Sequence, residues 1–198
     1  MYINLLAEGQ LEAITAERLL PYCGHELGTV YGRKGFNYVK NKASFFHHSA
    51  TDQTGILVLT DFRDSGANCI SAALNDYVYF KCPNPPKTFL CNFSVNELES
   101  WFLADNAGLA KFLNVSVSNF PLDPENEADP KKTLVELAYK SKTKLIKEGI
   151  APPAGHRAKV GPEYLNLMNT FIIHHWNIEK AAKRAPSLER CIRRLKAF

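Results

Sequence analysis

The residues of this 198-residue chain with the clearest chemical potential are acids that follow apolar segments. Glu8, Asp61 and the pair Glu97 and Glu99 each come soon after a segment that predicts a β-strand. Ligands of an open parallel sheet bind at the carboxyl ends of its strands. We therefore expect these carboxylates to converge at one edge of a sheet.

Converging carboxylates repel one another unless a cation lies between them, and an oxygen-rich cluster suits Mg²⁺ or Mn²⁺. Asp64 lies one turn beyond Asp61 and is a candidate fourth ligand. A metal ion held in this way positions a water molecule and stabilises the oxyanions of a phosphodiester under attack. The pattern therefore indicates metal-dependent phosphodiester hydrolysis.

Each of these acids except Glu99 also has a purely structural interpretation. Glu8 with Gly9 is typical of a solvated turn whose carboxylate interacts with the next helix dipole. Asp61 is equally typical of an Asx turn, and Asp64 of an ordinary turn residue. Ser94 to Glu97 fits a capping box that would start a helix at 94–105 and account for Glu97.

The apolar periodicity predicts the elements that must position these acids. The run 55–60 lacks alternation, which is typical of a strand buried on both faces of a parallel sheet. The pattern predicts further strands at 2–7, 77–81 and 88–93, and helices at 11–20, 94–105, 131–148, 162–175 and 187–197. Strand and helix alternate first and helices follow, so we expect an α/β core with a mainly parallel sheet and a helical C-terminal portion.

Charge divides the chain unevenly. Residues 1–130 carry a net charge of −6 and residues 131–198 a net charge of +10, although the whole chain carries only +4. We expect an α/β core at 1–120, an acidic linker at 121–130 and a basic helical portion at 131–198. A strongly basic portion favours contact with phosphates. The candidate nucleic-acid-binding residues are Lys131, Lys132, Lys140, Lys144, Arg157 and Lys159.

Other features exclude several function classes. The five cysteines include no C-x-x-C pair, which disfavours a zinc site and favours buried free thiols in a reducing compartment. No apolar run approaches the length of a membrane span and no signal peptide is evident, so we expect a cytoplasmic protein with no membrane partner. No Walker A or dinucleotide-binding motif is present, so any nucleotide hydrolysis would come from a partner.

Several strings of the chain resemble one family. They are AEGQLE at 7–12, TDF at 60–62, NELESWFLAD at 96–105, PKK at 130–132, and the segment 160–188. Together they resemble a Toprim-like family of largely uncharacterised bacterial proteins. The resemblance implies a Toprim-like core and a metal-dependent nuclease or phosphotransfer centre.

In that family one glutamate and a later pair of acids build the centre, so the resemblance assigns Glu8 and Asp61 to it. In the family pattern one residue lies between the two acids, whereas two residues lie between Asp61 and Asp64 here. Glu97 or Glu99 is therefore a candidate for the missing acid. Related genes often lie beside those of ABC-type ATPases in phage-defence loci, which implies an ATPase partner.

The leading hypothesis is a nuclease that uses Mg²⁺ or Mn²⁺ to cleave DNA or RNA. The nuclease would be the effector of an ATPase-linked anti-phage system, and a homo-oligomer is left open. Glu8 would be a metal ligand or general base and Asp61 the principal ligand, with Glu99, Glu97 or Asp64 completing the site. The alternatives are a non-catalytic Toprim-like module that binds an ATPase or nucleic acid, and an enzyme for a small phosphorylated ligand.

Overall fold

A computed structural model describes residues 1–198, which form two compact units. Unit one contains Met1–Val95 and Ser187–Phe198, and unit two contains Asn96–Pro186. The sequence divides by charge at the acidic segment 121–130, whereas the structure places that segment inside unit two. None of the helices has the length and apolarity needed to cross a bilayer.

Unit one is an α/β unit around a parallel sheet, as the sequence predicts. Its strands are β1 (Tyr2–Ala7), β2 (Glu26–Gly32), β3 (Thr54–Asp61) and β4 (Phe89–Ser94). The order across the sheet is β2-β1-β3-β4, and every neighbouring pair is parallel. The helices of this unit are α1 (Gln10–Tyr22), α2 (Phe36–Phe46), α3 (Ile70–Leu74) and, after unit two, α10 (Pro186–Leu195).

The central strand β3 is buried on both faces, because successive side chains point to opposite sides of a sheet. Ile56 to Leu59 are fully buried, which explains the apolar run without alternation. On one face Leu6, Val58 and Cys91 share a core with Val39 of α2. Helices therefore cover the sheet, and polar side chains lie at the ends of its strands.

One predicted strand of unit one is wrong. Residues 77–81 do not form a strand: a π-helical turn at Asn75–Tyr79 continues α3. Ala73, Tyr77 and Val78 are buried against the sheet with helical spacing. Tertiary packing overrides the β-propensity of the aromatic and β-branched residues in this stretch.

Unit two is helical throughout. Its helices are α4 (Glu99–Ala104), α5 (Asn106–Leu113), α6 (Pro130–Tyr139), α7 (Lys144–Ile150), α8 (Tyr164–His174) and α9 (Ile178–Ala182). The single helix predicted at 131–148 is two helices, because the Ser141 hydroxyl bonds to both the backbone N–H and the carbonyl of Thr143. Such a local bond offers the backbone an alternative to helix.

The helix predicted to start at Ser94 begins only at Glu99, so the capping box there is wrong. Ser94 is the last residue of β4, and Asn96 adopts a left-handed backbone with φ of 61°. The Asn96 side chain donates to the carbonyls of Glu125 and Glu127, which ties the acidic segment into unit two.

Candidate metal centre

Glu8 and Asp61 meet at the carboxyl edge of the sheet in unit one. The β1–β3 register pairs Ala7 with Leu59, so Glu8 follows beside Thr60. Glu8 Oε2 accepts hydrogen bonds from Thr60 Oγ1 at 2.5 Å and from the Asp61 backbone N–H at 3.3 Å. The Glu8 carboxylate is therefore bonded to the backbone of Asp61, the second predicted acid, on the adjacent strand.

Asp61 is held in place from the opposite side by β4. The β3–β4 register pairs Asp61 with Ser94, and Ser94 Oγ donates to Asp61 Oδ1 at 2.5 Å. Asp61 is 8% exposed and Ser94 is fully buried. A buried hydroxyl donor that orients a ligand carboxylate is typical of the outer shell of a metal site.

Backbone contacts from the turn between β2 and α2 fix the end of β1 and the Glu8 backbone. The Gly35 N–H donates to the Glu8 carbonyl at 3.0 Å, and the Arg33 N–H donates to the Ala7 carbonyl at 2.8 Å. Gly32 has a φ of +89°, and a Cβ there would collide with the Ala7 carbonyl oxygen. The turn between β2 and α2 thus wraps around the end of β1 and fixes the Glu8 backbone.

The next acid, Glu12, has a capping role. Its Oε2 accepts a hydrogen bond from the Gly9 N–H at 2.8 Å, which satisfies an otherwise open donor at the start of α1. Glu12 is 6% exposed. This contact explains on physical grounds why an acid recurs four residues after Glu8.

Asp64 lies beyond β3 in a short 3₁₀ turn at Arg63–Ser65 and is exposed. Its charge still reaches the buried hydroxyl of Tyr77. Burial raises the pKa of Tyr77 far above its usual range, and the negative charge of Glu8, with that of Asp64 among others, raises it further.

Glu97 and Glu99 lie in unit two and contact a lysine there. Lys131 Nζ lies 3.3 Å from Glu99 Oε1 and 3.8 Å from Glu97 Oε1, and the Lys131 N–H donates to Glu97 Oε2 at 3.0 Å. Tyr164 Oη donates to Glu99 Oε1 at 2.6 Å. Both glutamates are at most 4% exposed, so Lys131 supplies the counter-charge that their burial requires.

Asp105, the last acid of the string that carries the resemblance, has a structural role. Its side chain accepts from the Gly108 N–H at 3.2 Å and from the Asn177 N–H at 2.8 Å. Asp105 thus caps α5 and ties it to the start of α9.

The donor set fits a magnesium or manganese ion bound by few protein ligands. No group of three or more His, Cys, Asp or Glu side chains could hold a metal ion together. Mg²⁺, however, usually keeps several water ligands and is bound through one or two carboxylates. Glu8 and Asp61 supply two oriented carboxylates at one sheet edge, which meets that smaller requirement.

The candidate nucleic-acid-binding residues of unit two differ in how free their charges are. Lys131 is paired with the buried glutamates, whereas Lys132 and Lys144 make only long ion pairs, of 3.8 and 3.9 Å, with Glu136 and Glu148 one turn away. Exposed pairs of this kind contribute little and leave the charge available. The others, Lys140, Arg157 and Lys159, are also exposed.

Sequence reasoning missed the residues that orient the acids. Thr60 and Ser94 carry no sequence signal beyond a hydroxyl at a strand end, yet both donate to a candidate ligand. Tyr77 was assigned to a strand, and its buried hydroxyl has no hydrogen-bond partner. A rule that inspects the last two residues of each parallel strand would have found the first two.

No family model, curated protein or solved structure matches the chain.

Proposed function

We propose that the chain is a nuclease that hydrolyses phosphodiester bonds of DNA or RNA with Mg²⁺ or Mn²⁺ bound by Glu8 and Asp61. One observation supports this most: the Glu8 carboxylate accepts from Thr60 and Asp61 at the carboxyl ends of two adjacent parallel strands. Parallel sheets bind ligands at that edge. The bound ion would stabilise charge on the phosphodiester.

The residues of the chain have separate tasks in this proposal. Asp61, held by Ser94, is the principal ligand. Glu8 is half-buried and serves as the second ligand or as the base that accepts a proton from water. Asp64 is exposed in the turn after β3, and we give it no metal role in the proposal because no three such side chains come together there. Glu97 and Glu99 are more simply explained by their contacts with Lys131, and we give them no metal role in the proposal.

Substrate contact is proposed to come from exposed basic residues. Lys132, Lys140, Lys144, Arg157 and Lys159 offer cations for phosphates without base-specific geometry. Such contacts give non-specific, salt-dependent binding. The resemblance to the Toprim-like family extends the proposal to an effector that acts with an ATPase partner in anti-phage defence.

A cleavage assay tests the proposal. Wild-type protein is incubated with single-stranded and double-stranded DNA, with single-stranded and double-stranded RNA, and with transfer RNA. Each substrate is tested in Mg²⁺, in Mn²⁺ and in EDTA. We expect cleavage only with metal, and a loss of at least about 100-fold in the Glu8→Gln and Asp61→Asn variants. Ser94→Ala, which removes the donor that orients Asp61, is expected to lose about 10- to 100-fold.

Glu17→Gln is the matched control, because Glu17 is an exposed acid in the second half of α1, nine residues beyond Glu8. Its rate is expected to equal that of the wild type. Metal-dependent cleavage that survives in both Glu8→Gln and Asp61→Asn would refute the proposed site.

The second candidate is a non-catalytic module that binds a partner ATPase or nucleic acid. The observation that favours it is the absence of any group of three metal-binding side chains. The same assay separates the two, because a module binds nucleic acid or its partner but leaves every substrate uncut in Mg²⁺ and Mn²⁺. In cells, a nuclease effector is expected to be toxic in a manner that Glu8→Gln abolishes.

A further inference from the structure

Unit one exposes two phenylalanine rings on the side of the sheet that carries α2. Phe45, in the last turn of α2, is 57% exposed, and Phe80, directly after the π-helical turn, is 79% exposed. More than half of each of these two residues is therefore left to solvent. Exposed aromatic groups that cluster mark a surface that binds something.

Two lysines lie over the Phe45 ring. Lys42 Nζ lies 6.0 Å and Lys81 Nζ 5.6 Å from the centroid of the Phe45 ring. Lys81 also follows Phe80 directly in the chain, so one lysine neighbours both exposed rings. Phe45, Phe80, Lys42 and Lys81 are called the aromatic-basic surface below.

The charge around this surface is one-sided. Residues 31–50 contain four Lys or Arg and no Asp or Glu, and residues 75–87 contain two lysines and a single acid, Asp76. That acid is already paired with Lys40, whose Nζ lies 2.5 Å from its Oδ2. These two segments together hold six basic residues and one acid. The surface is therefore cationic and suits an anionic ligand.

We infer that the aromatic-basic surface binds single-stranded nucleic acid, with bases stacked on Phe45 and Phe80 and phosphates held by Lys42 and Lys81. Unspecific binding of single strands combines a cationic surface with aromatic rings on which bases stack. A duplex keeps its base faces inside the stack and offers only its phosphates. A docking surface for another protein is the competing interpretation, and lysines without paired acids favour phosphate over it.

The surface is connected to the proposed centre by helix α2. The Gly35 N–H at the start of this helix donates to the Glu8 carbonyl, and Phe45 lies at its far end. An α-helix rises 1.5 Å per residue, so the two ends are about 15 Å apart, a span of a few nucleotides. Lys34, 5.2 Å from the Tyr38 ring centroid, lies in the first part of this path. Assignment of a single strand as the cleaved substrate rests on the proposed nuclease function, whereas the binding does not.

Binding is tested by fluorescence anisotropy with a labelled 12-nucleotide oligo(dT), in EDTA and low salt so that no cleavage occurs. We expect Phe45→Ala and Phe80→Ala each to weaken binding by about fivefold to 100-fold. Phe45→Tyr keeps a stacking face and is expected to bind within about twofold of the wild type. Phe45→Leu keeps apolar area without a π-face and is expected to behave like Phe45→Ala.

Two further comparisons decide the mode of binding. A 12-base-pair duplex is expected to bind at least about fivefold more weakly than the single strand. Lys42→Gln with Lys81→Gln is expected to reduce the slope of log Kd against log salt by about 1.4, the value for two lost phosphate contacts at about 0.7 each. Because all four side chains are exposed, thermal melting should confirm that each variant is folded.

The inference would be overturned if the wild-type protein did not bind oligo(dT). It would also be overturned if the Phe45→Ala and Phe80→Ala variants bound oligo(dT) with the affinity of the wild type. Equal binding of duplex and single strand would overturn base stacking, and tolerance of Phe45→Leu would point to a protein-docking surface. The result is independent of the proposed centre, because Glu8→Gln with Asp61→Asn is expected to bind oligo(dT) like the wild type while it fails to cleave.

Discussion

At the scale of single residues, position relative to the strand end decides what each acid does. Glu8 follows β1 directly and turns its carboxylate toward β3, whereas Glu12 lies one helical turn later and turns back to the Gly9 N–H. The same side-chain chemistry thus serves as a candidate ligand in one case and as a helix cap in the other. The cap also fixes the turn that carries Glu8.

Removal of the Glu12 carboxylate is expected to destabilise unit one. Glu12→Ala leaves the Gly9 N–H without its partner, which costs about 1 kcal/mol in the free energy of unfolding. Chemical denaturation followed by circular dichroism measures this difference. Glu17→Ala, an exposed acid on the same helix, is the control and is expected to change stability by less than about 0.5 kcal/mol. Equal effects of the two substitutions would contradict the capping role.

The cysteines are free, as the sequence predicts, and four of the five are buried. Burial raises the pKa of the Cys91 thiol to about 12 from an ordinary value near 9. The folded state therefore holds this proton more tightly than the unfolded state. Its contribution to stability is complete below about pH 9 and is lost as the pH rises toward 12.

We therefore expect unfolding free energy to fall between pH 8 and pH 10 by about 1 kcal/mol more in the wild type than in Cys91→Ala. Denaturant titrations at the two pH values measure this difference. A parallel pH dependence in the two proteins would show that the Cys91 thiol does not stay neutral in the folded state.

At the scale of elements, the sequence predicts what each strand or helix buries better than where it begins. The strand at 55–60 and its burial on both faces follow from an apolar run, and β4 follows from a second. The capping box at 94–97 was misread because Ser94 donates to Asp61, a partner 33 residues away. Glu97 was likewise assigned locally, although its partner Lys131 lies 34 residues on. Contacts of that length leave no mark in local periodicity.

Lys131 is expected to stabilise unit two rather than to bind substrate. Lys131→Met leaves the buried Glu97 and Glu99 without a counter-charge, which we expect to cost about 3 kcal/mol in unfolding free energy. Lys132→Met, whose side chain is 70% exposed, is the neighbouring control and is expected to cost little.

Nucleic-acid affinity gives the complementary readout for these two lysines. Lys132→Met is expected to weaken binding in low salt, whereas folded Lys131→Met is expected to leave it within about twofold. A Lys131→Met variant as stable as Lys132→Met would contradict the assigned role.

At the scale of the whole molecule, the charge division along the chain disappears when residues are grouped by unit. Unit one holds 12 basic and 9 acidic residues, a net charge of +3, and unit two holds 12 and 11, a net charge of +1. The acidic stretch 97–129 folds with the basic helices α6 to α9, while the basic α10 belongs to unit one. Net charge by segment therefore overstated a separation between an acidic centre and a basic substrate surface. Local cationic surfaces are the better guide to where phosphates bind.

The central claim is that Glu8 and Asp61 together bind a divalent cation, and calorimetric titration with MnCl₂ tests it most directly. Wild-type protein is expected to bind one Mn²⁺, the Glu8→Gln and Asp61→Asn variants to bind it at least about tenfold more weakly, and Glu17→Gln to bind it like the wild type. Wild-type protein that takes up no Mn²⁺, or variants that bind it with unchanged affinity, would contradict the account.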